Sequence, residues 1–155
     1  MTLFNDMSEF KAALPKTGRL LGFDLGTKTI GLALSDLGRQ IATPLETLKK
    51  GKFSKDLFAI EAFVKTHDIQ GLVMGLPMNM DGTQGPRAQA TRAFARNLDT
   101  HFSLPLIYWD ERLSTAAVTR TLIDADRSRA RREELVDKMA ASYILQGALD
   151  RLRNA

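Results

Sequence analysis

A single aspartate at the end of a buried strand constrains the fold of this chain more than any other residue. Asp24 follows the continuous apolar run LLGF at 20–23 and precedes a polar loop, after which IGLAL at 30–34 forms a second apolar run. The first run is typical of a strand buried on both faces, and the second of a strand with one crowded face. A buried carboxylate costs free energy unless a cation or hydrogen bonds compensate it. The stretch 19–35 therefore predicts either an aspartate that caps a turn or an acid at a functional site.

Composition excludes several kinds of chemistry. The 155-residue chain contains no cysteine, so disulfides, thiolate nucleophiles and cysteine-based zinc sites are excluded. Its two histidines, His67 and His101, have no acids or second histidine at metal-binding spacing. A metal site must therefore be built from carboxylates, which favour magnesium or manganese.

The charge balance favours an anionic partner. The formal net charge is +4 and the pI is near 9.6. No apolar run approaches the roughly 20 residues that span a membrane. The first residues lack the basic-then-apolar order of a signal peptide. We therefore expect a cytoplasmic protein with no membrane partner.

The order of the predicted elements indicates an α/β fold. Residues 1–18 form an N-terminal extension with a short helix, and 19–155 form one domain. After the extension, the sequence predicts three strands near 20–23, 30–34 and 41–48, a helix over 54–67, a strand over 69–76, a helix over 87–102, a strand over 104–109, a helix after Ser114 and a helix over 133–152. The first three strands predict an antiparallel meander, with Pro44 placing the third at a sheet edge. The later alternation predicts parallel strands joined by helices.

Acidic residues end two strands and lie near the start of the last helix. Asp24 ends the first strand, Asp110 and Glu111 end the fifth, and Asp137 lies in the last helix. If the first and fifth strands are parallel, their carboxyl ends lie at one edge, where open α/β sheets place their sites. Converging carboxylates repel one another unless cations neutralise them. Two magnesium ions about 4 Å apart would do so, and they support phosphodiester hydrolysis by activating water and stabilising the leaving oxygen.

Each acid also has a simpler interpretation. Asp24 could cap a turn, Asp137 could stabilise a helix start, and Asp110 and Glu111 could form a local ion pair with Arg112. Their joint placement at one predicted edge favours a site. Alternation along an extended strand separates Asp110 from Glu111, so only one is the principal ligand, and we choose Glu111.

Basic residues accompany these acids. Lys28 and Arg112 adjoin them and are candidates to contact the cleaved region of a nucleic acid. We expect a flexible basic loop before the last helix to hold the phosphodiester backbone through Arg127, Arg129, Arg131 and Arg132. A second basic group, Lys49, Lys50, Lys52 and Lys55, is interpreted as a solvated linker and helix start.

Four motifs together resemble one known family. They are LGFDLGTKTIGLALSD, VMGLPMNMDG, DERLST and VDKMAASYILQ, in this order and spacing. The chain resembles the YqgF (RuvX) family of RNase H-like, RuvC-related nucleases, which are associated with pre-16S ribosomal RNA processing and with Holliday junction resolution. The resemblance covers nearly all of 19–149 and leaves 1–18 unexplained.

The resemblance implies a fold and a set of acids. It implies a five-stranded mixed sheet in the order 3-2-1-4-5, with strand 2 antiparallel, flanked by helices. Asp24 would be the first catalytic acid, the Asp110–Glu111 pair would supply the second, and Asp137 the third. RuvC-type resolvases carry an acid on the fourth strand, where this chain has Met-Gly-Leu at 74–76. The second acid must therefore come from the fifth strand.

Several functions are compatible with these motifs. The preferred hypothesis is a magnesium- or manganese-dependent endonuclease that processes precursor 16S ribosomal RNA, as a monomer or a homodimer. The alternatives are a DNA junction resolvase and a nucleic-acid-binding protein that does not cleave. The Asp-Leu-Gly-Thr sequence at 24–27 also resembles the phosphate loop of actin-like kinases and ATPases, but those proteins need a second lobe and a second such loop.

Overall fold

The computed structural model describes residues 3–113 and 129–155, with the side chains of the last helix described from residue 139 onward. The elements in these ranges are β1 (Leu3–Phe4), α1 (Met7–Ala13), β2 (Arg19–Leu25), β3 (Thr29–Ser35), β4 (Ala42–Lys49), α2 (Phe53–Thr66), β5 (Ile69–Leu76), α3 (Pro86–His101), β6 (Leu106–Asp110), a 3-10 turn (Glu111–Leu113) and α4 (Arg129–Arg153). In this part of the chain no helix is long and apolar enough to cross a membrane.

The strands form one mixed sheet in the order β1-β6-β5-β2-β3-β4. β3 is antiparallel to both its neighbours, whereas β2, β5 and β6 are parallel to one another. The α/β class and the order 3-2-1-4-5 of the five predicted strands are therefore confirmed, and β4, which contains Pro44, lies at an edge. The number five is wrong, because β1 adds a sixth strand beside β6. Two residues carry no alternation pattern, so the sequence could not reveal β1.

The segment before β2 packs on the body of the protein. Asp6 caps α1 by accepting a hydrogen bond from the Ser8 backbone N–H at 3.2 Å. Met7 and Phe10 of this helix are buried against the sheet, and the ring of Phe10 meets that of Phe4 edge-on at 6.1 Å. Apolar burial thus attaches the segment to the domain.

The sheet is covered on both faces, giving three layers. On one face lie α2 and α3, whose buried residues Ile60, Phe94 and Leu98 pack against Phe23 and Met74. On the other face lies α4, which contributes the buried residues Ala140, Ala141, Ile144, Leu145, Ala148, Leu149 and Leu152. Small residues on both surfaces let α4 approach closely, since a Cβ added at Gly22 would lie 2.8 Å from the Leu145 Cβ.

The direction of α4 follows from contacts near its C-terminal end. Gln146 accepts a hydrogen bond from the Ala42 N–H, and Arg153 donates one to the Gln40 carbonyl. Both partners lie where β4 begins, at the edge opposite the carboxyl ends of β2, β5 and β6. The N-terminal part of α4 therefore points toward those carboxyl ends.

The start of α4 corrects the expected basic loop. The helix begins at Arg129 rather than near 133, so Arg129, Arg131 and Arg132 lie on helical backbone. Arginine and alanine are good helix formers, and a run of positive charge does not break a helix. Arg127 and the helix expected after Ser114 lie outside the described residues.

Replacing Gly22 with alanine should lower the free energy of unfolding by about 1–3 kcal/mol, because the added Cβ would overlap the Leu145 Cβ and force α4 outward. Urea and thermal unfolding measure this loss. Gly38→Ala is the control, since its added Cβ would make only ordinary contacts, with the Asp36 carboxylate at 3.5 Å and the Gln40 Cγ at 3.9 Å. Equal stability of the two variants would contradict the close packing of α4 on β2.

Candidate active site

The carboxyl ends of three parallel strands meet at one edge of the sheet. Phe23 pairs with Met74, and Met74 pairs with Tyr108, so the residues that follow them, including Asp24, are at one level. Asp110 pairs with Leu76 at the end of β5. The structure thus brings Asp24, Asp110 and Glu111 to one edge, as the strand order requires.

Asp24 lies inside the sheet and not in the loop that follows it. It is the sixth residue of β2, pairs with Gly31 of β3 and is 1% exposed. Because side chains alternate along a strand, Asp24 shares the face of Gly22, which α4 covers. The turn after it is closed by a 2.8 Å hydrogen bond from the Gly26 N–H to the Thr29 carbonyl. A backbone hydrogen bond thus contributes to closing the turn, while the Asp24 side chain is buried on the face of the sheet that α4 covers.

Asp110 is held by the arginine two residues later. The Arg112 guanidinium donates to both carboxylate oxygens, with distances of 2.7–3.1 Å, and the Arg112 backbone N–H donates to Oδ1 at 3.0 Å. These hydrogen bonds from Arg112 lower the pKa of Asp110, and the carboxylate in turn raises the pKa of Arg112. The local ion pair considered for this motif is thus present, with Asp110 as its acid.

Glu111 has a different environment. It opens the 3-10 turn that follows β6 and is 6% exposed. The argument from strand alternation assumed that Glu111 is extended, which is wrong, because the chain turns at this residue. The two neighbouring acids nevertheless have different environments, since the ion pair with Arg112 holds Asp110 and the turn buries Glu111.

The loop after β5 is tied to this edge by two arginines. Arg112 Nη1 donates to the carbonyls of Asn79 and Met80, at 3.4 and 3.3 Å. Arg87, in the first turn of α3, donates to the Leu25 carbonyl at 3.1 Å, immediately after Asp24. The sequence did not predict this contact. No local pattern reveals it, because the donor and acceptor are 62 residues apart.

The placement of several predicted residues is only partly described. Lys28 is exposed in the turn after β2. Asp137 lies on the backbone of α4, four residues before the buried Ala141. The side chains of Asp137, Arg129, Arg131 and Arg132, and all of Arg127, lie outside the described residues.

The donor chemistry fits the expected metal. Asp24 and Glu111 are buried carboxylates at one sheet edge, and such oxygen ligands suit magnesium and manganese. Among the residues whose side chains are described, no three His, Asp or Glu side chains are grouped to hold a metal ion. Asp137, the further acid that the sequence predicted for this site, has its side chain outside those residues.

Comparisons with known proteins agree with this architecture. The family model for RuvX, described as a Holliday junction resolvase, matches residues 18–151. A protein of Methylocella silvestris named "Putative pre-16S rRNA nuclease" is 61% identical over 96% of this chain and 92% of its own length. A Rhodobacter capsulatus protein of the same name is 60% identical over 94% of this chain and 92% of its own length.

Solved structures share the fold at low sequence identity. RuvC of T. thermophilus in complex with a Holliday junction substrate has a TM-score of 0.54 at 11% identity, covering 89% of this chain and 98% of that one. The yeast mitochondrial Holliday junction resolvase Ydc2 has a TM-score of 0.52 at 11% identity, covering 96% of this chain and 86% of that one. These similarities confirm the RNase H-like fold. The family match over residues 18–151, with relatives about 60% identical over nearly the whole chain, shows that this chain belongs to the RuvX family.

Proposed function

We propose that this protein is a metal-dependent endonuclease that hydrolyses phosphodiester bonds in structured RNA, with precursor 16S ribosomal RNA as its substrate in the cytoplasm. The observation that carries the proposal is the buried Asp24, which lies at the same sheet edge as the buried Glu111. Relatives about 60% identical over nearly the whole chain carry the name of a pre-16S rRNA nuclease, which supports the choice of substrate.

Three acids share the task of binding the metal. Asp24, Glu111 and Asp137 hold magnesium or manganese, which when bound supplies the positive charge that assists attack by water and departure of the leaving oxygen. The rigid β2 ladder fixes Asp24, and the 3-10 turn fixes Glu111. Burial of both carboxylates excludes competing solvent from them and strengthens their electrostatic interactions.

Basic side chains around the acids position the substrate. Lys28 and Arg112 lie next to the acids and contact phosphates near the cut. Asp110 holds the Arg112 guanidinium in place and is a positioning residue. The basic residues at the start of α4, together with Arg127, contact the backbone further away.

Cleavage of a four-way DNA junction is the second candidate activity. The matching family model is described as a junction resolvase, and this observation favours it. A resolvase cuts two strands symmetrically and would act as a homodimer, whereas an RNA-processing enzyme can act as a monomer. A protein that binds without cutting is the third possibility.

Removing any of the three proposed metal-binding carboxylates should abolish cleavage. We expect Asp24→Asn, Glu111→Gln and Asp137→Asn each to lower the rate by at least about 100-fold with magnesium or manganese, because each removes a ligand charge at the reacting phosphate. A precursor 16S rRNA fragment and a four-way DNA junction are assayed in parallel, to choose between the two substrates.

The control for this assay is Glu46→Gln, which neutralises an exposed acid on the edge strand β4 and should keep wild-type activity. Binding of both substrates without cleavage by the wild-type protein, under either metal, would refute the nuclease and support the third possibility.

Neutralising Asp110 should affect cleavage less than neutralising its neighbour. Asp110→Asn frees Arg112 but leaves Asp24, Glu111 and Asp137 in place, so we expect a loss of about 10-fold or less, mostly in KM. Glu111→Gln should lower kcat by at least about 100-fold. Both variants remove one charge from adjacent positions, so each serves as the other's control. The reverse order of effects would make Asp110 the principal ligand.

Asp110→Asn should also change the response of stability to acid. The folded-state pKa of Asp110 lies below its unfolded value of about 3.9, so its stabilising contribution is complete above that value and is lost as the pH falls through the folded-state pKa. We expect the wild type to be more stable than the variant at pH 6, and this difference to shrink below about pH 4. Urea unfolding across this range measures it, and a pH-independent difference would contradict the ion pair.

A further inference from the structure

Four lysines lie together beside the proposed active site, on its β4 side. We name them the lysine patch: Lys49, Lys50, Lys52 and Lys55. Lys49 ends β4, the next two residues of the patch lie in the connection to α2, and Lys55 lies in the first turn of that helix. All four are exposed. The sequence alone favoured a solvated linker, since nothing local shows which edge of the sheet they occupy.

The sheet register places the patch at the edge of the acids. Asp24 pairs with Gly31, and Gly31 pairs with Thr47, so Lys49 lies two residues beyond the level of Asp24, toward the carboxyl ends of β2, β5 and β6. With strands about 4.8 Å apart and a rise of about 3.4 Å per residue, the Cα atoms of Asp24 and Lys49 are roughly 12 Å apart.

The backbone under the patch is fixed. The Lys50 N–H donates to the Lys28 carbonyl at 2.8 Å, which joins the patch to the turn that follows Asp24. The Gly51 N–H donates to both carboxylate oxygens of the buried Asp56 at 3.2 Å. The patch is therefore presented by an ordered connection, anchored directly to the active-site turn.

The ammonium groups of the patch have no partners within the described ranges of the chain. The two ion pairs found there, Asp110–Arg112 and Asp150–Arg153, involve none of these lysines. The only carboxylate bonded to the connection is Asp56, and it accepts from backbone. Like charges without partners repel one another. A bound polyanion relieves this repulsion, and the lysines in turn release counterions that had condensed on the nucleic acid.

We propose that the lysine patch binds the phosphate backbone of the substrate nucleic acid on one side of the cut. This inference rests on the proposed function, because it takes the reacting phosphate to lie at Asp24. At about 3.4 Å of rise per nucleotide along the axis of a duplex, a separation of about 12 Å corresponds to phosphates about three to four nucleotides from the cut. Lysines recognise these phosphates as point charges, so the contacts carry no sequence information.

The test measures how salt weakens binding. Asp24→Asn protein, which cannot cleave, is titrated in magnesium with a labelled precursor 16S rRNA fragment and with a four-way DNA junction, at several KCl concentrations. Each lost phosphate contact lowers the slope of log K against log salt by about 0.7–0.9. We expect Lys49→Gln with Lys50→Gln to lower the slope by about 1.5 units.

Two further double variants sharpen the result. Lys16→Gln with Lys65→Gln removes the same charge from exposed residues that lie before β2 and at the end of α2, at the opposite edge, and should change the slope by less than about 0.3. Lys49→Arg with Lys50→Arg keeps the charge and should restore the slope. Equal slopes for the two glutamine variants would overturn the proposal, because only net charge would then matter. An unchanged slope for the Lys49→Gln, Lys50→Gln variant would also overturn it.

Failure of the enzyme and failure of the patch are distinguishable. If the wild-type protein cuts neither substrate but the patch variant alone loses salt dependence, the nuclease proposal fails and the patch stands as a nucleic-acid-binding surface. If the wild-type protein cuts and the slopes are equal, the patch fails and the nuclease stands.

Discussion

The arrangement of this domain depends on one carboxylate that the sheet holds away from water. A residue needed only to close the turn would lie in the loop at 26–28, across which the Gly26 N–H donates to the Thr29 carbonyl. Asp24 instead occupies a paired position in β2 and is covered by the layer that contains α4. Burying an ion costs several kcal/mol after relaxation, so such a position needs compensating charge or hydrogen bonds. Because Asp24 also lies at the same carboxyl edge of the sheet as the buried Glu111, its position favours the functional interpretation over the turn-cap interpretation.

Close packing of α4 connects the core to the site. Gly22 and Gly75 leave room on the sheet for Leu145 and Ile144, and a Cβ at either glycine would meet them at 2.8 Å or less. The same strand face that accepts these side chains also carries Asp24. Because the N-terminal part of α4 points toward the carboxyl edge, its close approach brings the backbone at Asp137 toward that edge as well. Residues that look like ordinary core therefore decide where a third acid can lie.

The sequence predicted periodic and motif-bearing features and missed those set by tertiary contacts. Continuous apolar runs identified β2 and β5, and Pro44 identified the edge strand. The two-residue β1 has too few positions to show a pattern. The ion pair of Asp110 forms because the Arg112 side chain turns back toward it. The contact of Arg87 with β2 joins residues far apart in the chain. The lysine patch lies in an exposed linker and helix start, as the sequence indicated, but which edge of the sheet it occupies depends on the strand register and could not be predicted.

Charge changes sign over a short distance along this edge, and that pattern distinguishes a nuclease site from a purely basic surface. The Asp110–Arg112 pair is neutral as a unit, Asp24 and Glu111 are buried acids at this edge, and the Cα atom of the exposed Lys49 lies roughly 12 Å from that of Asp24. A polyanion would be attracted to the lysines and repelled by the acids unless cations lay between them. The strand can therefore be held by the flanking basic residues, while its reacting phosphate needs metal ions to approach the carboxylates. In the proposed function, binding at the acids would therefore depend on the metal, and binding at the lysine patch would depend on salt.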